Sequence, residues 1–220
     1  MKKYRIFLDT AEIDQIRDAV STGLVDGIAT NPSKIAGSGK TYSKVLSEIR
    51  AVFDGPVAFQ AMGKSTQEII QHGLEIHQMD PLLAVKVVAN KTGLPALKPL
   101  ISEGVRTNAT LMFNPAQALL AGLAGSPFIS PFIGRARMAG ADGIKEIATM
   151  RRLLDAWNCD HTCIIGASIK DVTQVTDVIL AGAHAVAVPF SVFEAMMDHP
   201  LTDLGMEKFM DEYSDVQARS

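Results

Sequence analysis

The 220-residue sequence has too little cysteine for a disulfide framework, since Cys159 and Cys163 are its only two. It has no surplus of positive charge: 21 basic against 24 acidic residues give a formal net charge of −3. That excludes nucleic acid as the main partner, because phosphate-backbone binding needs a concentrated basic footprint. A few cations gathered around one small anionic ligand remain compatible with it. No uninterrupted apolar run approaches the roughly 18–20 residues of a membrane span. The opening MKKYRIFLDT breaks its apolar stretch at Arg5 and ends it at Asp9, too early for a secretory core. The expected setting is therefore cytoplasmic, with no membrane partner. Charged tails, low-complexity tracts and long Pro/Gly/Ser linkers are also missing, so residues 1–220 are read as a single domain.

What is present is alternation. Short apolar runs at 4–9, 25–30, 56–61, 82–88, 104–111, 128–133, 162–168 and 184–190 read as strands. Several are almost continuously apolar, as in parallel strands covered on both faces. Longer amphipathic stretches separate them. Ile13, Ile16, Val20 and Leu24 form one helical stripe, and Val45, Leu46, Ile49 and Phe53 another. Ser65 followed by Glu68 predicts a capping box. Further helices are expected at 92–102, 115–123, 140–157 and 171–181, with closing helices near 191–198 and 203–213. Eight units in 220 residues average about 27 each, near the size of a βαβ unit. The expected class is α/β: a (β/α)8 TIM barrel with an additional C-terminal helix. A doubly wound open sheet is the alternative.

Chemistry in such a barrel gathers at the C-terminal ends of its strands. Lys86 is the outlier there, set between Leu82–Val85 and Val87–Val88. A desolvated lysine has a lowered pKa and supplies a neutral amine, which attacks carbonyls to give a Schiff base. The competing structural reading is a lysine that snorkels outward or pairs with a carboxylate. Asp9 ends the first strand, where it either exchanges a proton with a substrate hydroxyl or caps the next helix. Asn31, Gln60, Asn108, Thr110, Ser130 and Ser168 add neutral donors and acceptors at other strand ends. Arg135 and Lys170 add two cations, either phosphate partners or ordinary surface charge. Together the set suits a polyhydroxylated, phosphorylated carbonyl compound.

Three other signals carry little. AGSGKTYS contains a GKT, but Lys34 stands where the Walker pattern needs glycine. His72 and His77 are poorly placed to share a helical face, and Cys159–His161–Cys163 lacks a clear fourth ligand, so no metal is expected. Phe193, Met196 and Met197 read as helix packing.

The segments FLDTA, VDGIATNPS, AVKVVANKTGL, RTNATLMFNPAQALLAGLAG, SPFIGR, ASIK and HPLTDLGMEKF resemble those of small bacterial transaldolases and fructose-6-phosphate aldolases, in order, from about residue 5 to 210. The resemblance implies a (β/α)8 barrel and class I chemistry with no cofactor and no metal. It assigns Lys86 as the Schiff-base lysine and Asp9 as the acid/base at the C4 hydroxyl. Gln60 and Thr110 would hold the water of imine formation and hydrolysis. Asn31, Asn108, Ser130 and Ser168 would bind the adduct and sugar hydroxyls. Arg135 and Lys170 match the phosphate positions, and Phe132 stands where transaldolases carry phenylalanine and the aldolase branch tyrosine. Gln60 and Lys170 are aldolase-like; Asn108, Phe132 and Gly134–Arg135 are transaldolase-like. Ala29 replaces a usual threonine, and Ala89–Asn90 departs from the usual pattern after the lysine strand. The implied activity is transfer of a dihydroxyacetone unit from fructose 6-phosphate or sedoheptulose 7-phosphate to an aldose phosphate. The alternatives are release of free dihydroxyacetone, action on another anionic sugar such as a sulfosugar, and a non-catalytic sugar-phosphate sensor or scaffold. The resemblance also implies a homo-oligomer, a pentamer or decamer, with the C-terminal helix reaching a neighbour.

Overall fold

The structure is a computed structural model and describes residues 6–218. Eight parallel strands close a barrel: β1 (Ile6–Asp9), β2 (Gly27–Ala29), β3 (Val57–Gln60), β4 (Ala84–Val88), β5 (Arg106–Met112), β6 (Phe128–Pro131), β7 (Cys163–Gly166) and β8 (Ala185–Val188). Closure is direct, because β1 pairs with β8 through Ile6↔Val186, Phe7↔Ala187 and Leu8↔Val188. That pairing rules out the open sheet. The expected strands all exist with adjusted ends: the second run shrinks to Gly27–Ala29, while Tyr4 and Arg5 of the first lie outside the described residues.

Alternation along each strand sorts side chains between two cores. Leu8, Phe59, Val85, Val87 and Ala109 face outward into the large core beneath the helices. Phe7, Ala29, Ile165, Ala167, Ala185 and Ala187 form a smaller core inside the barrel. Lys86 falls between Val85 and Val87 and is therefore inward, as are Asp9 after Leu8 and Asn108 before Ala109. Gly27 makes the interior packing possible. A Cβ there would lie 2.4 Å from the Phe7 ring.

The helices are α1 (Ile13–Ser21), α2 (Pro32–Ser38), α3 (Tyr42–Arg50), α4 (Thr66–Met79), α5 (Leu97–Ser102), α6 (Pro115–Leu123), α7 (Ile133–Met138), α8 (Gly143–Ala156), α9 (Val172–Leu180), α10 (Phe190–Ala195) and α11 (Pro200–Gln217). A short 3-10 turn, Leu94–Ala96, precedes α5, so the helix expected at 92–102 is split. The short helices α2 and α7 have no counterpart in the sequence reading; each is too brief to display a periodic stripe. The stripe assigned to the first helix is corrected at its end, where α1 stops at Ser21 and Leu24 lies beyond it, 54% exposed. The second stripe likewise stops short of Phe53. Ser65 does cap α4, accepting from the Glu68 N–H at 3.2 Å, but Glu68 turns back to the Lys64 N–H rather than closing the box. A complete capping box stands instead at Asn114 and Gln117.

The GKT segment is the turn between α2 and α3, with Gly39 as a left-handed C-cap at φ 68° and Thr41 as the next N-cap. It follows a helix rather than a strand, which is no setting for a phosphate loop. None of the described helices is long and apolar enough to cross a membrane. The last helix stands apart from the rest: α11 buries none of its residues and exposes Leu204, Phe209 and Tyr213.

Candidate active site

A cavity of about 410 Å³ opens at the C-terminal end of the barrel. Barrel interiors are ordinarily filled by bulky branched side chains. Here Ala29, Ala58, Ala84, Ala167 and Ala187 line the wall and leave the space open. Asp9, Asn31, Gln60, Lys86, Asn108, Ser130, Phe132, Arg135, Ser168 and Lys170 all face it. Of the residues singled out from sequence, Thr110 alone does not line it.

The sheet register brings the polar groups together. Gln60 pairs with Lys86, and Lys86 with Asn108, across three adjacent strands. Lys86 is 6% exposed, and its ammonium nitrogen lies 2.9 Å from the Thr30 carbonyl, to which it donates. Burial holds the Lys86 amine below the ordinary lysine range, and the Asp9 carboxylate opposes part of that shift. The snorkelling alternative is excluded by this placement. Asp9 does not cap the following helix, since the N-cap of α1 is Glu12, without a side-chain bond. Its carboxylate instead accepts a long 3.4 Å contact from the Asn31 amide. Asn31 does two things at once. Its side-chain oxygen caps α2 by accepting from the Lys34 N–H, while its nitrogen reaches Asp9.

On the far wall the Ser130 hydroxyl donates to the Asn108 side-chain oxygen at 2.9 Å and so fixes that amide's orientation. Thr110 sits one inward position beyond Asn108, buried, and its hydroxyl has no hydrogen-bond partner among the described residues. Just after it the β5–β6 register shifts between Thr110 and Met112, and Leu111 takes φ 58°. Ser168, two residues past the end of β7, takes φ 60°. Left-handed backbone is costly for both residues, and both line the cavity, where such strain tends to concentrate. Neither conformation leaves a sequence signal, because glycine is the residue by which one would read it.

Arg135 belongs to α7 rather than to the end of β6, and its guanidinium stacks over the Phe132 ring at 5.3 Å. Phe132 in turn meets Phe113 edge-on at 6.2 Å. The α7 turn presses against the loop after β7: a Cβ on Gly134 would lie 2.0 Å from the Ser168 carbonyl. That close approach brings Arg135 and Lys170 to one side of the mouth. Lys170 is anchored through its N–H, which donates to the buried Gln174 side chain at 3.1 Å. Sequence reasoning missed Lys34, Arg106, Phe7 and Leu111 as lining residues. The two cations were hidden by being ordinary in composition, since one lies in an unread helix and the other at the start of a strand.

Away from the cavity, Cys159 is buried and Cys163 has its thiol pushed up to about 11 by burial, against a smaller opposing effect of Arg151. That is the environment of a packing thiol, not a reactive one. Among the described residues no three His, Cys, Asp or Glu side chains converge.

Residues 6–219 match the family described as Transaldolase/Fructose-6-phosphate aldolase. A probable transaldolase of Clostridium perfringens (strain SM101 / Type A) is 41% identical over 210 residues, covering 96% of this chain and 97% of its own. A probable transaldolase of Desulforudis audaxviator is 39% identical over 214 residues, covering 97% and 99%. Among solved structures, a thiamine phosphate pyrophosphorylase from Pyrococcus furiosus aligns with a TM-score of 0.59 at 14% identity, over 85% of this chain and 86% of its own. That likeness is one of fold alone.

Proposed function

The chain belongs to the transaldolase/fructose-6-phosphate aldolase family, and we propose that it is a transaldolase moving a dihydroxyacetone unit from fructose 6-phosphate or sedoheptulose 7-phosphate to an aldose phosphate. The observation that carries this reading is Lys86, buried in the cavity wall with a lowered pKa and with Asp9 lining the same space.

The neutral Lys86 amine attacks the ketose C2 carbonyl and water leaves, giving an iminium. Asp9 takes the proton of the C4 hydroxyl, the C3–C4 bond breaks, and its electron pair runs into the iminium to form an enamine. The aldehyde phosphate departs. An incoming aldose phosphate receives the enamine at its carbonyl carbon, and Asp9 returns the proton to the new alkoxide. Hydrolysis then frees Lys86. Gln60 and the unpartnered Thr110 hydroxyl are suited to hold the water of the first and last steps. Gln60 carries an amide and cannot act as a base, so its part is positioning. Asn31, Asn108, Ser130 and Ser168 bind the adduct and its hydroxyls, Phe132 packs against them, and Arg135 with Lys170 receives the phosphate. The reaction needs no cofactor or metal.

Gln60 and Lys170 favour a second reading, in which water rather than an aldose phosphate discharges the enamine. Purified protein given fructose 6-phosphate separates the two. Transfer predicts that free dihydroxyacetone forms at least tenfold more slowly than product does once an aldose phosphate is supplied. Equal rates with and without acceptor would make the protein an aldolase.

The chain is read as one domain, and its two free thiols fit a reducing compartment such as the cytoplasm. It is further read as a homo-oligomer built through α11. A helix with no buried residue and with Leu204, Phe209 and Tyr213 exposed lacks the tertiary burial that stabilises most protein helices. A second copy of the chain is the partner that restores it. Light scattering coupled to gel filtration is expected to give a mass several times 23.6 kDa, and Phe209→Asp to lower it. A monomeric parent protein would refute this assembly.

A further inference from the structure

The hydrogen-bonded rungs between β2 and β3 run out at Gln60. The Ile28 N–H donates to the Pro56 carbonyl at 2.9 Å, and the Thr30 N–H to the Ala58 carbonyl at 3.0 Å. Parallel rungs are evenly spaced, and the chain is still extended at Asn31, with φ −153° and ψ 165°. The next rung therefore belongs to residue 32 and the Gln60 carbonyl. Residue 32 is proline, which has no N–H to donate.

The Tyr42 hydroxyl stands in for the missing donor. It reaches the Gln60 carbonyl at 3.1 Å from the first residue of α3. Its ring is fixed on two sides, edge-on to the buried Phe59 ring with centroids 5.3 Å apart, and tilted against His72 at 5.6 Å. His72 in turn holds the chain just beyond Gln60, because its Nδ1 accepts the Met62 N–H at 2.9 Å. Burial raises the Tyr42 pKa above the ordinary tyrosine value, so at neutral pH the hydroxyl keeps the proton it donates.

Gln60 needs that support. Its strand register sets it beside Lys86, and it lines the cavity. Among the described residues its side chain is tied only to the Met62 sulfur, which accepts from the amide nitrogen at 3.6 Å, and a thioether is a weak acceptor. What aims the amide at the cavity is therefore its backbone. Tyr42 does not itself line the cavity. We propose that it is a positioning residue, whose hydroxyl fixes the end of β3 so that Gln60 holds the water that leaves and re-enters at Lys86. The assignment rests on the Schiff-base reading of Lys86 and on the part given to Gln60 within it.

The water step can be isolated. Dihydroxyacetone forms an imine on Lys86 and has no C3–C4 bond to break. Its rate of trapping, at saturating ketone and at a borohydride concentration beyond which the rate no longer rises, reads imine formation alone. The comparison is between the parent protein, Tyr42→Phe, Gln60→Ala and the double variant, each rate expressed per site finally trapped so that any inactive fraction cancels. Tyr42→Phe removes one oxygen and keeps both ring contacts. It is expected to slow imine formation about fivefold, the scale of one hydrogen bond lost from a part-buried carbonyl. Gln60→Ala is expected to slow it at least as much, and Tyr42→Phe to add less than about twofold in that background. A tyrosine that merely braced the fold would cost the same factor in both backgrounds. That result, or a parent-like rate in Tyr42→Phe, overturns the proposal. A parent-like rate in Gln60→Ala would instead defeat the part given to Gln60, and absence of any adduct on Lys86 in the parent protein would defeat the Schiff-base reading itself.

Discussion

Replacing Lys86 with methionine is expected to abolish covalent trapping by borohydride and to lower turnover by on the order of 10⁴-fold or more, as loss of a covalent nucleophile does elsewhere. Methionine has nearly the length of the lysine stem, so the buried inward position stays filled. What is lost is the amine and its bond to the Thr30 carbonyl. A mass shift on the peptide bearing Lys86 in the parent protein, absent from the variant, is the measurement. A trapped adduct on any other lysine, or turnover persisting in Lys86→Met, would remove the mechanism altogether.

The same variant makes a second, independent claim through pH. The folded-state pKa of Lys86 lies below its unfolded value, so between the two the unfolded chain binds a proton that the folded chain does not. Stability therefore rises with pH through that window and levels off above the ordinary lysine range. Methionine has no such dependence. The stability of the parent protein relative to Lys86→Met is thus expected to increase as pH rises toward the ordinary lysine value. Denaturant melts of both proteins across that range read the difference. A difference that stays flat with pH would mean that burial does not depress the amine. Trapping in the parent protein has the same sign, since its rate grows with the neutral fraction and saturates below the pH at which a solvated lysine would.

The barrel was legible because several of its strands are nearly uniform apolar runs, and Lys86 is the charged residue set in the middle of one of them. Period-two alternation places Val85 and Val87 in the outer core, so Lys86 is forced inward by the residues around it. Asp9 and Gln60 follow by the same argument from Leu8 and Phe59. Arg135 and Lys170 were legible as a pair of candidate phosphate partners, but the contact that brings them to one side of the mouth was not. Their proximity depends on Gly134 meeting the Ser168 carbonyl, a contact between two segments that no local pattern announces. Lys34 was invisible as a site residue for a related reason. Its helix spans only Pro32–Ser38, too short to display a periodic stripe, and only the closed barrel shows that its lysine lines the cavity. Local periodicity thus fixed which face a residue takes, while neighbourhoods built by close backbone approach or by barrel closure needed coordinates.

Asp9→Asn separates imine formation from carbon–carbon cleavage. The substitution keeps the shape of the side chain and the possibility of a contact with Asn31, so the fold and the cavity should change little. It removes the one charge that raises the Lys86 pKa, which leaves the amine more neutral, not less. Attack on the ketose carbonyl should therefore proceed as well as before. Cleavage should not, because the C4 hydroxyl has lost its proton acceptor, and loss of a positioned general base costs about 10²–10⁴-fold. The two effects together predict a specific species. The parent protein, trapped during turnover, should carry mainly a three-carbon adduct on Lys86. The variant should carry the intact phosphorylated ketose, stalled before the C3–C4 bond breaks. Mass spectrometry of the reduced adduct distinguishes them directly. A three-carbon adduct in Asp9→Asn at the parent rate would show that another group accepts the proton, and Asp9 would then be left as an electrostatic neighbour of the lysine.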